Sequence, residues 1–425
     1  MILRKKTLLI LETRMTGHRP SYLRRITHLA IADGRRVIIA MPASCFEHPV
    51  YKRLSEKFDN QQIEAIRCGE LAREANPYPT NPIKMLHNEY LCTRFYKEAL
   101  KKARNENVID LILINMFDDA AVYSGLLKLN LDGIPWLGIV MRQNFHFNAM
   151  GAIGPPASFM TTLKRKLFIR LLRLIKPDSR ILTIDKSLDR YIELNYPALH
   201  QSIDHIPDPV DKKSTLPSAD LRKSFEIGEE IFLILVYGSL RKNKGISLLL
   251  DVMHDLPKNV HILMAGTQSS EIEKYLNNDR NMQLINDGRI HQINRYIDLS
   301  EDGGLFNAAN MVWLGYRNYY AMSAVLVQAA QYNLPVVAAR TGLIGWLTHE
   351  YKTGVVVDTD SANSISRGIM SIVNNEYQSE TARYNALASD HSLEEFEISL
   401  MKTINKMQHS TDQSVVSGGV THHIS

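Results

Sequence analysis

Short, mainly apolar runs recur along the chain, alternating with longer stretches whose apolar residues have helical spacing. In the first half the runs fall at 8–11, 37–41, 108–115, 135–140 and 180–184, with amphipathic stretches at 22–32, 87–105 and 120–129. A strand apolar on both sides must be covered on both faces, which predicts parallel sheets flanked by helices. The repeated β-α alternation predicts a doubly wound α/β architecture. The alternation pauses at Ile206-Pro207-Asp208-Pro209-Val210-Asp211 and the polar run to Asp220. Two prolines so close together forbid a helix and favour an extended connector. It then resumes with apolar runs at 231–237, 260–265, 311–314, 335–338 and 354–357. The expected organisation is an N-terminal domain at 1–208, a second at 209–392, a helix at 393–409 returning towards the first domain, and a disordered tail at 410–425. Two such halves leave a cleft, and ligands bind at the carboxyl ends of parallel strands.

Composition narrows the function. The 425 residues, 45% hydrophobic and 22% charged, suit two soluble globular domains. A net charge of +5, from 50 basic and 45 acidic residues, is too small to demand a nucleic-acid partner. Cys45, Cys68 and Cys92 lie far apart, which argues against a zinc or disulfide framework and fits a reducing compartment. No run reaches the ~18 apolar residues of a spanning helix. The apolar stretch before Glu12 is too short for a signal peptide. The expectation is a cytoplasmic protein, peripheral to the inner face of a membrane if it meets one. Residues 163–176 bear on that: Leu167, Phe168, Leu171, Leu172, Leu174 and Ile175 share one helical face, with Arg165, Lys166, Arg170, Arg173 and Lys176 opposite. Such a helix either packs on a sheet with a solvated basic face or is drawn to anionic lipid.

The chemistry concentrates in the second half. The run 231–237 enters Gly238-Ser239-Leu240-Arg241-Lys242-Asn243-Lys244-Gly245 and then a helix. A glycine turn with clustered cations at a strand-to-helix junction suits a phosphate, although the octapeptide is not a Walker A loop and a solvated basic loop reads the same way. No GxGxxG succeeds a strand, which speaks against a dinucleotide oxidoreductase. Asp118-Asp119 reads either as a carboxylate pair for a metal or as a helix cap. His422-His423 reads as solvated tail, and no metal is expected.

Beyond the octapeptide comes an ordered series: Gly266 after 260–265, Gly315-Tyr316-Arg317 after 311–314, Ser323-Ala324-Val325-Leu326-Val327-Gln328-Ala329-Ala330, Asn333-Leu334-Pro335-Val336-Val337-Ala338 and Gly342-Leu343-Ile344-Gly345. This series resembles the nucleotide-sugar-binding half of GT-B-fold glycosyltransferases, in particular the retaining family 4, or group 1, proteins. The first half is similar as well, in Thr16-Gly17-His18-Arg19-Pro20, in Met141-Arg142-Gln143-Asn144-Phe145-His146 and in the Ile206–Asp211 linker. The resemblance implies two Rossmann-like domains facing each other across a cleft. It implies transfer of a hexose from a UDP- or GDP-sugar to a glycan or lipid-linked acceptor in surface polysaccharide synthesis. The alternative is a non-catalytic subunit that binds a sugar nucleotide or glycan.

By the same resemblance, Arg241 and Lys244 face the donor diphosphate, Gly238 and Gly266 line the donor site, and Ser323 and Ala324 open a helix pointed at phosphate. Gly17, His18, Arg142 and His146 fall on the acceptor side, the two histidines near the reacting sugar. The family carries a Glu-x7-Glu pair, and here Tyr320 and Gln328 stand in its places. Gln328 accepts a ribose hydroxyl as a neutral partner, weaker than a carboxylate. On that reasoning Gln328→Glu should hold the donor as tightly or more tightly.

Overall fold

The computed structural model describes residues 4–72, 81–213, 221–298, 300–378 and 380–417. The end of the polar linker run and His422-His423 lie outside them. Two compact units result: Met1–Phe145 with Pro156–Ile206 and Glu397–Ser425, and His146–Pro155 with Pro207–Phe396.

The first unit carries strands β1 (Thr7–Leu11), β2 (Arg36–Pro42), β3 (Ile63–Cys68), β4 (Leu111–Ile114), β5 (Trp136–Val140), β6 (Arg180–Thr183) and β7 (Ile203–His205). They form one parallel sheet in the order β3-β2-β1-β4-β5-β6-β7. The second unit carries β8 (Phe232–Tyr237), β9 (Val260–Ala265), β10 (Ile290–Ile293), β11 (Met311–Leu314), β12 (Val336–Ala339) and β13 (Gly354–Val357). Its parallel order is β10-β9-β8-β11-β12-β13. In each sheet the order reverses beside the first strand, at β1/β4 and at β8/β11. Central strands are buried throughout because helices cover both faces, and the second core gathers Ile234, Val236, Leu249, Ile262, Met264, Trp313 and Ile365.

Four differences from the expected organisation have physical causes. Edge strand β3 buries only its end residues Ile63 and Cys68 and exposes Ala65 and Arg67 on one face, so it lacks the continuous apolar run that marks inner strands. Edge strand β7 is three residues long and gives no run at all. Residues His146–Pro155, expected in the first domain, belong to the second unit. There Ile153 N–H donates to the Arg340 carbonyl at 3.1 Å and Gly342 N–H to the Ile153 carbonyl at 2.9 Å. Finally, Leu393–Ser417 is one helix, so the segment expected as tail from 410 begins helical. Extending an existing helix orders one residue per hydrogen bond and avoids the cost of a new nucleus.

The helix Phe159–Leu174 buries Leu167, Phe168, Ile169, Leu171 and Leu172 and exposes Arg170 and Arg173 on the opposite face, with Arg165 and Lys166 exposed at its middle. Among the described residues no helix is long and apolar enough to cross a membrane.

Candidate functional site

In the second unit the predicted donor residues converge on the carboxyl ends of β8, β9 and β11, at the point where strand order reverses. Gly238, with φ +95°, ends β8 and donates its N–H to the Ala265 carbonyl at 2.9 Å. Gly266, with φ +136°, ends β9, and a Cβ there would stand 1.9 Å from the Gly238 carbonyl oxygen. The two turns touch backbone to backbone, which only glycine at 266 allows.

Arg241 and Lys244 of the basic loop differ. Arg241 is exposed, and its Nε donates to Ser239 Oγ at 3.1 Å. Lys244 is half-buried: its ammonium donates to the Tyr316 hydroxyl and lies 4.1 Å from the Tyr316 ring centroid. Among the described residues no carboxylate pairs with it, and burial lowers its pKa to about 8. The loop is held from behind, since Trp313 Nε1 donates to the Lys244 carbonyl at 3.0 Å and Arg317 N–H to the Asn243 carbonyl at 2.8 Å. A Cβ at Gly245 would meet the Gly315 carbonyl at 2.0 Å, so the turn lies directly on the end of β11. Tyr316 is buried, which raises its pKa, and its hydroxyl lies 3.5 Å from Ser323 Oγ. Ser323 stands at the N-cap position of the helix Ala324–Gln331, without a side-chain cap, and joins the cation loop to the helix start that the sequence placed beside it. Tyr316 was missed by sequence reasoning, although its place directly after Gly315 was a usable signal.

Gln328 lies on that helix, and its Nε2 donates to Asp302 Oδ2 at 3.1 Å. The other Asp302 oxygen accepts from the Tyr237 hydroxyl, one residue before Gly238. Burial raises both the Asp302 and the Tyr237 pKa. Asp302 and Tyr237 had no motif to reveal them. Tyr320 is half-buried, its ring stacked 6.5 Å from that of Phe147, and its carbonyl accepts from Leu343 N–H at 3.0 Å. His146 is fully buried, its ring 4.3 Å from that of Phe147. The sequence puts His146 on the acceptor side; the fold puts it in the unit of Tyr320 and Gln328 because its loop is bonded to the residues after β12.

In the first unit the carboxyl ends of β1 and β4 hold a buried charge network. Arg19 Nη1 donates to Glu12 Oε1 at 2.6 Å and to Thr13 Oγ1 at 2.9 Å, and Nη2 to Asp119 Oδ2 at 2.5 Å. Arg14 bonds Asp119 at 3.1 Å, and Asn115 Nδ2 bonds Glu12 at 2.5 Å. Asp118 accepts from the N–H groups of Met141 and Arg142 at 2.7 and 3.1 Å. The Asp118-Asp119 pair therefore holds the ends of the strands, and among the described residues no cluster fit for a metal occurs. Gly17, with φ +63°, and His18 are exposed; His18 opens the helix Arg19–Ala32 through its carbonyl, which accepts from Tyr22 N–H at 3.1 Å, without a side-chain cap. Arg142 is exposed beside the end of β5. Within this unit Gly17, His18 and Arg142 all fall on loops after the central strands.

Two doubly wound parallel units in one chain, with the glycine turns and the lysine at the second switch point, are those of a GT-B-fold protein. Solved glycosyltransferase structures match over nearly the whole length. HepE of Anabaena, in complex with UDP and glucose, has TM-score 0.60 and 15% identity over 94% of this chain and 99% of that one. Sucrose-phosphate synthase of Thermosynechococcus elongatus has TM-score 0.60 and 15% identity over 97% and 100%. The lipopolysaccharide outer core galactosyltransferase WaaB has TM-score 0.59 and 11% identity over 95% and 99%. Residues 218–388 match the family described as glycosyl transferases group 1. No curated protein sequence matches the chain.

Proposed function

We propose that the protein transfers a hexose from a UDP- or GDP-sugar to a glycan or lipid-linked acceptor, in the synthesis of a surface polysaccharide. The observation that carries this is Lys244: a half-buried ammonium, without a carboxylate among the described residues, between a glycine turn and a helix start. A diphosphate supplies the missing anion. As the bond from the anomeric carbon to the phosphate oxygen breaks, negative charge gathers on that oxygen, and Lys244 and Arg241 stabilise it more in the transition state than in the ground state. The acceptor hydroxyl oxygen forms the new bond and gives up its proton. Ser323 and Ala324 at the start of their helix add N–H donors towards phosphate. Gln328 accepts a ribose hydroxyl, and Gly238 and Gly266 admit the nucleotide close to the backbone. Gly17, His18 and Arg142 serve the acceptor, with His146 and Tyr320 shaping the sugar pocket. Retention of anomeric configuration is the outcome that the resemblance implies, and no metal is required.

The exposed basic face of Phe159–Leu174 supports peripheral attachment to anionic lipid on the cytoplasmic side, where a lipid-linked acceptor is presented. Flotation with anionic vesicles at low salt should show binding that is lost when Arg170 and Arg173 are reversed in charge; no binding, or binding indifferent to reversal, refutes this. For the transferase reading, thermal denaturation is measured with UDP-, GDP-, ADP- and CMP-sugars, then donor hydrolysis. A ligand at 100 times its Kd stabilises the fold by about 2.7 kcal/mol. No shift with any donor refutes the reading, and a shift without hydrolysis or transfer to any acceptor favours the non-catalytic subunit.

A further inference from the structure

We propose that Asp302 is a positioning residue for the donor site: it fixes the direction of the Gln328 amide so that Oε1, rather than the NH2 group, faces the ligand. This rests on the donor site proposed above. A carboxylate only accepts, so the amide nitrogen must be the atom turned towards it. Gln328 Nε2 donates to Asp302 Oδ2 at 3.1 Å, and Asp302 Oδ1 is held by the Tyr237 hydroxyl. Asp302 is buried, whereas Tyr237 and Gln328 are partly open. The amide thus has one polar end fixed on a buried acceptor and the other available as an acceptor. Without Asp302 the amide loses the buried acceptor that holds its nitrogen, and the flipped orientation, which turns two N–H donors on a ligand hydroxyl that needs to donate, becomes accessible.

The same geometry decides why glutamine suits position 328. A glutamate there would put a second carboxylate at about the 3.1 Å that now separates the amide nitrogen from Asp302, and two like charges that close do not both ionise. The expectation that Gln328→Glu tightens the donor is therefore reversed in sign. The groups facing Asp302 are the Tyr237 hydroxyl, Gln328 and Tyr332 from the helix Ala324–Gln331 and its end, and Asp298 and Glu301 just before it. Among these no cation offsets a second negative charge.

The experiment is a swap. Binding of UDP, GDP, ADP and CMP by calorimetry and melting temperature are measured for wild type, Q328E, D302N and D302N/Q328E between pH 5.5 and 8.5. Q328E should bind the preferred nucleotide at least fivefold more weakly at pH 8.5 and approach wild type at pH 5.5, where the pair shares a proton. Its melting temperature should drop in the same direction. In D302N/Q328E the Asn amide donates to the new carboxylate, so affinity should return to within about threefold of wild type and the pH dependence should vanish. Wild-type-like binding by Q328E at every pH, or a double variant no better than the worse single one, overturns the positioning role alone. A wild-type protein that binds none of the four nucleotides overturns the donor reading on which it rests.

Discussion

Lys244→Met tests the donor site at its most distinctive group. The ammonium sits with a hydroxyl and a ring for company, and its pKa falls from 10.5 to about 8. That gap corresponds to about 3 kcal/mol of unfavourable burial of the charged form. The folded state therefore holds fewer protons than the unfolded state between about pH 8 and 10.5. Stability should rise with pH across that window and be flat just below it. Methionine fills nearly the same volume without the charge. It forfeits a cation–π contact of about 1 kcal/mol, leaving a net gain of about 2 kcal/mol for the empty protein at pH 7. Nucleoside diphosphate binding should move the other way, weakening by about 1.5–3 kcal/mol, or roughly 10- to 150-fold. Urea denaturation at pH 7, 8 and 10 reads the first effect, and calorimetry with UDP or GDP the second. A variant less stable than wild type at pH 7, or wild-type stability indifferent to pH between 8 and 10, would show that Lys244 is not a strained cation awaiting an anion.

Three other sites give separate tests. Arg19→Met should destabilise the protein by about 3–5 kcal/mol in urea, because it takes the shared guanidinium away from the buried Glu12 and Asp119 carboxylates; a loss under ~1 kcal/mol refutes the account of the network. Glu89 is buried, and burial raises its pKa to about 8. The folded state holds the extra proton, so stability present at low pH should be lost as pH rises from about 4.5 to about 8, and Glu89→Gln should flatten that slope by at least ~1.4 kcal/mol. Gly266→Ala should cost about 1–3 kcal/mol in melting measurements, because alanine at φ +136° pushes its Cβ into the Gly238 carbonyl; nucleotide affinity should fall with it, and unaltered stability refutes the contact.

Much of this was legible in the chain because the signals are local. A strand buried on both faces must be apolar along its length, so β1, β2, β8, β9, β11 and β12 announce themselves. A glycine with positive φ between a strand and a helix has no common substitute, so Gly238 and its neighbouring cations could be picked out by type and order. Edge strands β3 and β7 could not, since half of an edge strand faces water or the strand is too short to show a pattern. The charge state of the site was also invisible. Arg241 and Lys244 are equivalent cations in sequence; only packing against Tyr316 makes one of them half-buried and shifts its proton affinity. The membership of His146 depended on a pairing between loops far apart in the chain, Ile153 with Arg340 and Gly342. The role of Gln328 depended likewise on Asp302, 26 residues away, and on Tyr237, 65 residues before Asp302. Spacing along the chain determines which faces are apolar and where the backbone must turn. Which polar group ends beside which is decided by how separate elements pack, and the direction of one amide or the proton on one lysine is set there.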